Sequence, residues 1–346
     1  MSDDLAAIVR KSDVDDAIDH LNEVNKYDGC RGIAQFDEEH VALPIREAVD
    51  HPLIQEVKRG VAGEKRARTL SDHLHERGWS PQEIDQVPAS YARIGDLIVF
   101  NEPVDHRPKE VAQVLFEIHG EAKAVLEQRS IQGAHRRPHI RHLAGDETSH
   151  TIHREHGIIY ELDLGDVMFS PGNQHERRRM GEVVDRGERV VDLFAGIGYF
   201  TLPMAVNGAY VTAIEDNPVS FRWLTRNLTH NEVDTRVTPI RGDCRMTSVT
   251  GERVVVGYLG AHDARDERPS SDGYLSAAVD AIEDSGTLHV HAIGWTGQRG
   301  RAADTLHERL STLDVTVEGL TGHRVKSIAA RTEHLVFDVD IARTEP

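Results

Sequence analysis

Val190-Val191-Asp192-Leu193-Phe194-Ala195-Gly196-Ile197-Gly198-Tyr199-Phe200-Thr201-Leu202-Pro203 is the stretch whose reading decides the fold. An apolar run ends at Asp192 and enters a loop holding Gly196 and Gly198, after which a helix is expected. Glycines there let the backbone pass close beneath a ligand at the carboxyl end of a strand, where a Cβ would collide. A Gly-x-Gly alone is shared by dinucleotide enzymes and by plain tight turns. A dinucleotide fingerprint would place its third glycine where this chain has Thr201.

The flanking residues sharpen the reading. YVTAIE (210–215) reads as a second strand ending in Glu215, placed to bind both hydroxyls of a ribose. RGDC (241–244) closes a third strand, with Asp243 placed to meet an adenine amino group. A glycine loop and an acid at the end of each of the next two strands predict an S-adenosylmethionine cradle. Its expected lining is Asp192, Phe194, Gly196, Gly198, Glu215, Asp243 and Cys244. A flavin or nicotinamide unit, or turns with no ligand, are the alternatives.

Outward from the loop, ERVVDLF, YVTAIE, VTPIRGD, RVVVGYL and TLHVHAI alternate with helical patterns at 218–230, 272–284 and 298–313. That alternation predicts an α/β, Rossmann-like domain over 169–346, its sheet mainly parallel with helices on both faces. HRVKSIAA and EHLVFDVDIA suit a closing C-terminal hairpin. Upstream, 90–168 carries short apolar runs at 94–100, 111–118, 124–126 and 158–162, read as a small α+β domain. Within it YARIGDLIVF is expected as a strand and 153–173 as a hairpin turning at 155–157. Residues 1–88, with helical spacing at Val14, Ala17, Ile18 and Leu21 and an N-cap at Ser80, read as an α-rich or α+β accessory unit.

The 346 residues carry 58 Asp+Glu against 40 Lys+Arg, a formal charge of −18. The acids are spread along the chain and lysine is scarce beside arginine, a balance that a high-salt cytoplasm favours and that points to a halophilic source. At molar salt the screening length falls to about 3 Å, so this charge does not exclude an RNA partner. Cys30 and Cys244 form no Cys-x-x-Cys pair, which speaks for a reducing compartment and against a disulfide or zinc framework. No stretch approaches the roughly 20 apolar residues of a membrane span, and the acidic start is unlike a signal peptide. The chain is expected to be cytoplasmic and monomeric, with no membrane association.

DLFAGIGYFTLP, the upstream FSPGNQHERRRM (169–180) and HRVKSIAA together resemble the archaeal and eukaryotic enzymes that act on guanine-derived residue 37 of tRNA. Two sister types share that pattern: the tRNA (guanine-37-N1) methyltransferases and the aminocarboxypropyl transferases of the tRNA wybutosine-synthesising protein 2 type. The methyltransferases carry Asn-Pro-Pro or Asn-Leu-Pro at strand four, where this chain has Gly257-Tyr258-Leu259. Ser170-Pro171-Gly172-Asn173 and the His289-Val290-His291 strand also look closer to the aminocarboxypropyl type. The resemblance therefore implies transfer of the 3-amino-3-carboxypropyl group of S-adenosylmethionine to C7 of 4-demethylwyosine at position 37 of tRNA(Phe). N1-guanine methylation and a non-catalytic tRNA-binding paralogue are the competing readings.

Aminocarboxypropyl transfer needs donors for the amino-acid tail of the cofactor. Ser170 and Arg177 are the positioning candidates, because Arg holds a carboxylate through two parallel bonds. Glu176 would serve the amine or fix Arg177. Asp263 is the candidate proton acceptor. Arg136, Arg137, Arg141, Arg178 and Arg179 are expected tRNA contacts. Arg324 and Lys326, alternating on one strand face, are expected to grip phosphates. Tyr199, Phe200 and Tyr258 are candidates to stack on the base, with core packing the favoured alternative for Phe200. His289 and His291 share a strand face, aimed at the crevice or packed in the core. His150, His153 and His156 recur every third residue, but no metal is expected.

Overall fold

The computed structural model describes residues 5–24, 26–29, 31–64, 69–133, 137–265 and 273–344, and divides into compact units Met1–Ala89 and Ser90–Pro346. Cys30 and Arg136 lie outside the described residues. In the first unit, strands β1 (Leu5–Arg10), β2 (Ala34–Gln35), β3 (His40–Ile45) and β4 (Glu56–Arg59) form an antiparallel sheet ordered β2-β3-β1-β4. Helix α1 (Val14–Glu23) buries Ala17 and Leu21 in the same core as Ala7, Val9 and Leu43. Helical spacing thus accounts for α1, while the centre of the unit is sheet. The short helices α2 (Leu70–Glu76) and α3 (Pro81–Ile84) both start at capping boxes, Thr69 with Asp72 and Ser80 with Glu83. Each satisfies two otherwise unpaired backbone donors.

The second unit opens with β5 (Ala92–Ile94), β6 (Leu97–Phe100), α4 (Pro108–Ile118), β7 (Ala124–Gln132) and β8 (Arg137–Gly145), the strands ordered β5-β6-β7-β8. One local expectation changes here, and one apolar run without an assigned element gains one. YARIGDLIVF is two strands folded back at Gly95, whose φ of +59 supplies the turn. The apolar run 111–118 is helix α4, with Pro108 in its first turn and Val111, Ala112, Val114 and Leu115 buried at helical spacing. A short buried apolar run does not distinguish strand from helix. Strands β9 (His150–Glu155) and β10 (Ile158–Asp163) form the expected hairpin, turning through His156 and Gly157 at positive φ.

After a turn at Pro171–Asn173 come α5 (Gln174–Glu182), β11 (Arg189–Asp192), α6 (Thr201–Val206), β12 (Tyr210–Glu215), α7 (Pro218–His230), β13 (Val237–Arg241) and β14 (Gly251–Val256). They are followed by β15 (His262–Asp263), α8 (Tyr274–Asp280), β16 (Ile282–Trp295), α9 (Arg299–Leu310), β17 (Val315–Ala329) and β18 (Thr332–Arg343). The helical pattern anticipated across 272–284 is therefore shorter, and Glu283 and Asp284 already belong to β16. The sheet runs β13-β12-β11-β14-β16-β18-β17; its first five strands are parallel, and β18 and β17 form an antiparallel edge. Neighbouring residues of β11 enter opposite layers. Val190 joins the core with α5, α6 and α7, and Val191 the core with α8 and α9. Burial on both faces explains why these strands are continuously apolar. Each fully buried Val or Leu contributes roughly 1.5–3 kcal/mol.

The first of these layers also contains Ile94, Leu97, Leu126, Ile158 and Tyr160, so 90–168 shares a core with the glycine loop. Asn227 of α7 and Asn231, which caps its C-terminus, strengthen the join. The Asn231 side chain accepts from the Ile159 N–H at 2.8 Å and donates to its carbonyl at 2.7 Å; Asn227 does the same for Glu161 at 2.7 and 3.2 Å. The two amides take the place of a partner strand along β10 and so cover an edge.

Candidate active site

Strand β11 is flanked by β12 on one side and β14 on the other. The chain winds outward through β12 and β13, then returns past β11 to β14. Such a reversal opens a crevice at the carboxyl ends of the strands. The loop after β11 enters it with Gly196 at φ +60 and Gly198 at φ +102, conformations that an L side chain resists. The Gly196 N–H donates to one carboxylate oxygen of Glu215 at 2.7 Å, and the Asn217 N–H to the other at 2.7 Å. Burial raises the Glu215 carboxyl above its ordinary value, and these two N–H bonds oppose the rise. Each oxygen keeps acceptor capacity for a hydroxyl, as a ribose ligand requires.

Asp192 plays a different part from the one expected. It is fully buried, accepting from the Thr201 hydroxyl at 2.7 Å and the Phe194 N–H at 3.2 Å. Burial pushes its carboxyl up to about 6 against those bonds. It fastens the loop to α6 from inside the protein. Thr201, standing where a third glycine would be, is its partner. Phe194 forms an aromatic trio with Tyr258 and Tyr274, with ring centroids 5.1–5.6 Å apart. Tyr274 escaped the sequence reading because nothing in its own segment marks it. Asp243 is half-buried, and bonds from the Arg245 guanidinium hold its carboxyl below the ordinary range. Arg245 in turn lies 4.5 Å from the Tyr274 ring centroid. The buried Cys244 thiol, pushed up to about 11 by burial, packs in the adjoining layer.

Several expected ligands are already engaged within the protein. Arg177 is 2% exposed; its Nε and Nη2 donate to both oxygens of Glu155 at 2.7 and 2.6 Å, and Nη1 to the Ser170 carbonyl at 2.9 Å. Its fork is thus occupied by Glu155, where the sequence reading has it holding a cofactor carboxylate. Arg179, an expected tRNA contact, is engaged by Glu176 and Asp338. Glu176 also pairs with His323 at 2.8 Å rather than with Arg177. Arg141 is bonded to the buried Glu127 and to the Val104 carbonyl. Asp263 receives Nε and Nη2 of Arg265 at 2.8 and 2.6 Å, which makes it a poor proton acceptor. Arg137 and Arg178 are exposed, Arg178 paired with Glu182 on its own helix.

Arg324 and Lys326 lie on opposite faces. A bulge sets Arg324 against Leu335 and Lys326 against the next residue of β18, His334. Arg324 is exposed near Glu333, whereas Lys326 is half-buried and donates to the Ser170 hydroxyl. His289 and His291 belong to the core. His289 donates from Nδ1 to Asp338 at 2.6 Å and accepts from Arg253 at 2.6 Å. His291 shares a 2.8 Å bond with His334 and packs 4.8 Å from the Phe200 ring. Phe200 also lies against Gly257, where a Cβ would meet the ring at 3.3 Å. His150 pairs with Glu161 and His153 accepts from the Gly95 N–H. Among the described residues no group of His, Cys, Asp or Glu is arranged to hold a metal ion, and no helix is long and apolar enough to cross a membrane. A cavity of about 260 Å³ beside α5 and α6 is lined by Glu155, Tyr160, Arg177, Arg178, Pro203 and Asn207.

The strand order, the glycine loop and the acid ending β12 define a Rossmann-like S-adenosylmethionine-dependent transferase. Residues 151–316 match the family described as the TRM5/TYW2 methyltransferase domain, and residues 70–148 match the TYW2 N-terminal domain. The tRNA(Phe) (4-demethylwyosine(37)-C(7)) aminocarboxypropyltransferase of Pyrococcus horikoshii is 33% identical over 76% of this chain and 94% of its own length. The tRNA (guanine(37)-N(1))-methyltransferase Trm5b of Pyrococcus abyssi is 31% identical over 76% and 78%. A crystal structure of Trm5b from P. abyssi superposes with a TM-score of 0.70 at 27% identity, covering 98% of this chain and 99% of that one. That of P. horikoshii TYW2 in complex with MeSAdo gives 0.65 at 28%, covering 79% and 98%. The chain belongs to the TRM5/TYW2 family of tRNA-modifying enzymes.

Proposed function

We propose that this chain transfers the 3-amino-3-carboxypropyl group of S-adenosylmethionine to C7 of 4-demethylwyosine at position 37 of tRNA(Phe). The observation that carries this reading is the TYW2-type N-terminal match at 70–148, joined to a relative of that activity matched over 94% of its length. The exit of β14 agrees with it. Gly257 and Tyr258 stand there, Gly257 against Phe200 and Tyr258 in the aromatic trio, in place of the Asn-Pro of the methyltransferases.

When bound, the cofactor supplies an electrophilic carbon on a sulfonium; attack by C7 of the base forms the C–C bond as the C–S bond breaks. Methylthioadenosine leaves with the electron pair, and C7 then loses its proton. The work of the chain is positional: placing one of three sulfonium-bound carbons in line with the nucleophile decides the product. Glu215 and the Gly196–Gly198 loop fix the adenosine half. We read Tyr258, about a third exposed, as the ring that stacks on the tricyclic base. Arg137, Arg178 and Arg324 are available to phosphates. We read the protein further as a cytoplasmic monomer and, on its charge and the scarcity of lysine, as one from a salt-adapted source.

N1-guanine methylation is the second reading, favoured by the P. abyssi structure, which matches the whole chain including its first unit. The test is incubation with precursor tRNA and cofactor labelled either in the methyl or in the carboxypropyl carbons. Carboxypropyl label entering tRNA is expected; label arriving only from the methyl carbon would overturn the assignment.

A further inference from the structure

We propose that Lys326, backed by the Ser170 hydroxyl, is the seat of the carboxylate on the amino-acid tail of the cofactor. The inference rests on the cofactor assignment above, and not on which group is transferred. Lys326 is the half-buried cation of this region that carries no acid among the described residues. Its hydrogen bond runs to Ser170 Oγ, and the other charge near it is that of Arg177. Arg177 brings its own counter-ion, Glu155, so the pair contributes one cation and one anion. Burial, and then the Arg177 charge, lower the Lys326 ammonium from its ordinary value, so its charged form gains from a bound anion.

The surroundings are shaped for that ammonium. Gly172 faces its stem, and a Cβ there would stand 3.0 Å from Lys326 Cδ and 3.4 Å from Nζ. His334, opposite Lys326 in the β17–β18 ladder, is held neutral by burial and then by Lys326, and bonds to the neutral His291. Neither imidazole carries a charge there, and the nearby Glu176 carboxylate is already engaged by Arg179 and His323. The position also connects to the glycine loop. His291 packs on Phe200, and Phe169, the residue before Ser170, has its ring centroid 6.0 Å from that of Tyr199. The Tyr199 hydroxyl donates to the Met168 carbonyl. A tail extending from an adenosine held by Glu215 thus meets Ser170 and Lys326 beside Tyr199 and Phe200. A tRNA phosphate is the competing anion, but it suits the exposed Arg324 better than a lysine turned inward by the bulge.

The test is calorimetric and needs no turnover. Wild-type protein and the Lys326→Met and Ser170→Ala variants are titrated with S-adenosylmethionine, its decarboxylated analogue and methylthioadenosine. Wild type should favour S-adenosylmethionine over the decarboxylated analogue, and Lys326→Met should weaken S-adenosylmethionine roughly ten- to hundredfold, as expected on losing a charged hydrogen bond. Methylthioadenosine, which lacks the tail, should bind the variant within about twofold of wild type, and Ser170→Ala should show a smaller loss of the same kind. Equal wild-type affinity for the first two ligands would overturn the proposal without any variant. So would equal losses for all three ligands, which mark a structural lysine, or weakened tRNA binding with unchanged cofactor affinity, which marks a phosphate contact. Intact methylthioadenosine binding shows the adenosine site standing whatever becomes of Lys326.

Discussion

At the scale of single residues, the reassignment of Arg177 is the sharpest consequence of the structure. A bidentate arginine between β9 and α5 is a buried ion pair, and removing one partner strands the other charge. Arg177→Met is expected to destabilise the protein by about 3–5 kcal/mol, whereas Arg177→Met combined with Glu155→Leu should recover much of the loss. Denaturant titration of the two single variants and the double variant checks this; a Met variant as stable as wild type would return Arg177 to the list of free ligands. Glu215 behaves otherwise, because its oxygens organise the glycine loop and still have capacity for a ligand. Glu215→Ala should weaken methylthioadenosine binding by about 1.5–3 kcal/mol, the worth of hydrogen bonds to a charged group. Unchanged affinity in a folded variant would remove it from the ribose role.

At the scale of elements, Asn227 of α7 and its C-cap Asn231 join two regions that the sequence presents as separate. Asn227 is fully buried and serves Glu161 backbone N–H and C=O as well as the Ile197 carbonyl at 3.0 Å. Ile197 lies within the glycine loop, so one side chain ties the β10 edge to the cofactor site. Asn227→Leu leaves these groups buried and unpaired, at about 1–3 kcal/mol for each that water does not reach. The expected result is a lowered melting temperature together with faster amide exchange at Glu161. A variant with wild-type exchange at that amide would show that the edge does not depend on the clamp.

At the scale of the molecule, charge governs the response to solvent. Burial alone would raise the Glu155 carboxyl, but bonds from Arg177 and His153 outweigh it and hold it at about 2. Burial likewise opposes His323 and Arg179 at Glu176, and those bonds hold it at about 2. Folded values below the unfolded ones mean stability that is present above about pH 4.5 and lost as pH falls toward 2, on the order of 3 kcal/mol for each group. Asp192, raised to about 6, has the opposite sign: its contribution falls as pH rises from about 4 to 6. Acid unfolding followed by circular dichroism should therefore steepen below pH 4.5, and Glu176→Gln should flatten that limb. The net charge of −18 adds self-repulsion that salt screens, so the melting temperature is expected to climb from about 0.1 M KCl into the molar range. A flat or falling curve would sink the reading of a salt-adapted source.

Periodicity and turn chemistry were enough to place the parallel strands, the Gly196–Gly198 loop, Glu215 at the end of β12 and the hairpin at His156 and Gly157. Each is decided within a few residues, by apolar runs, by backbone sterics and by the position of an acid at a strand end. The run 111–118 was ambiguous because burial gives a short helix and a short strand the same composition. Partnership was beyond the sequence. Arg177 finds Glu155 across 22 positions, Arg179 finds Asp338 across 159, and Lys326 finds Ser170 across 156. A side chain is a ligand or a structural prop according to whether its donors are already taken, and that depends on which distant groups the fold brings within about 3 Å. One inserted residue in β17 turned Lys326 away from the face of Arg324, a difference that residue spacing cannot carry and that only strand register decides.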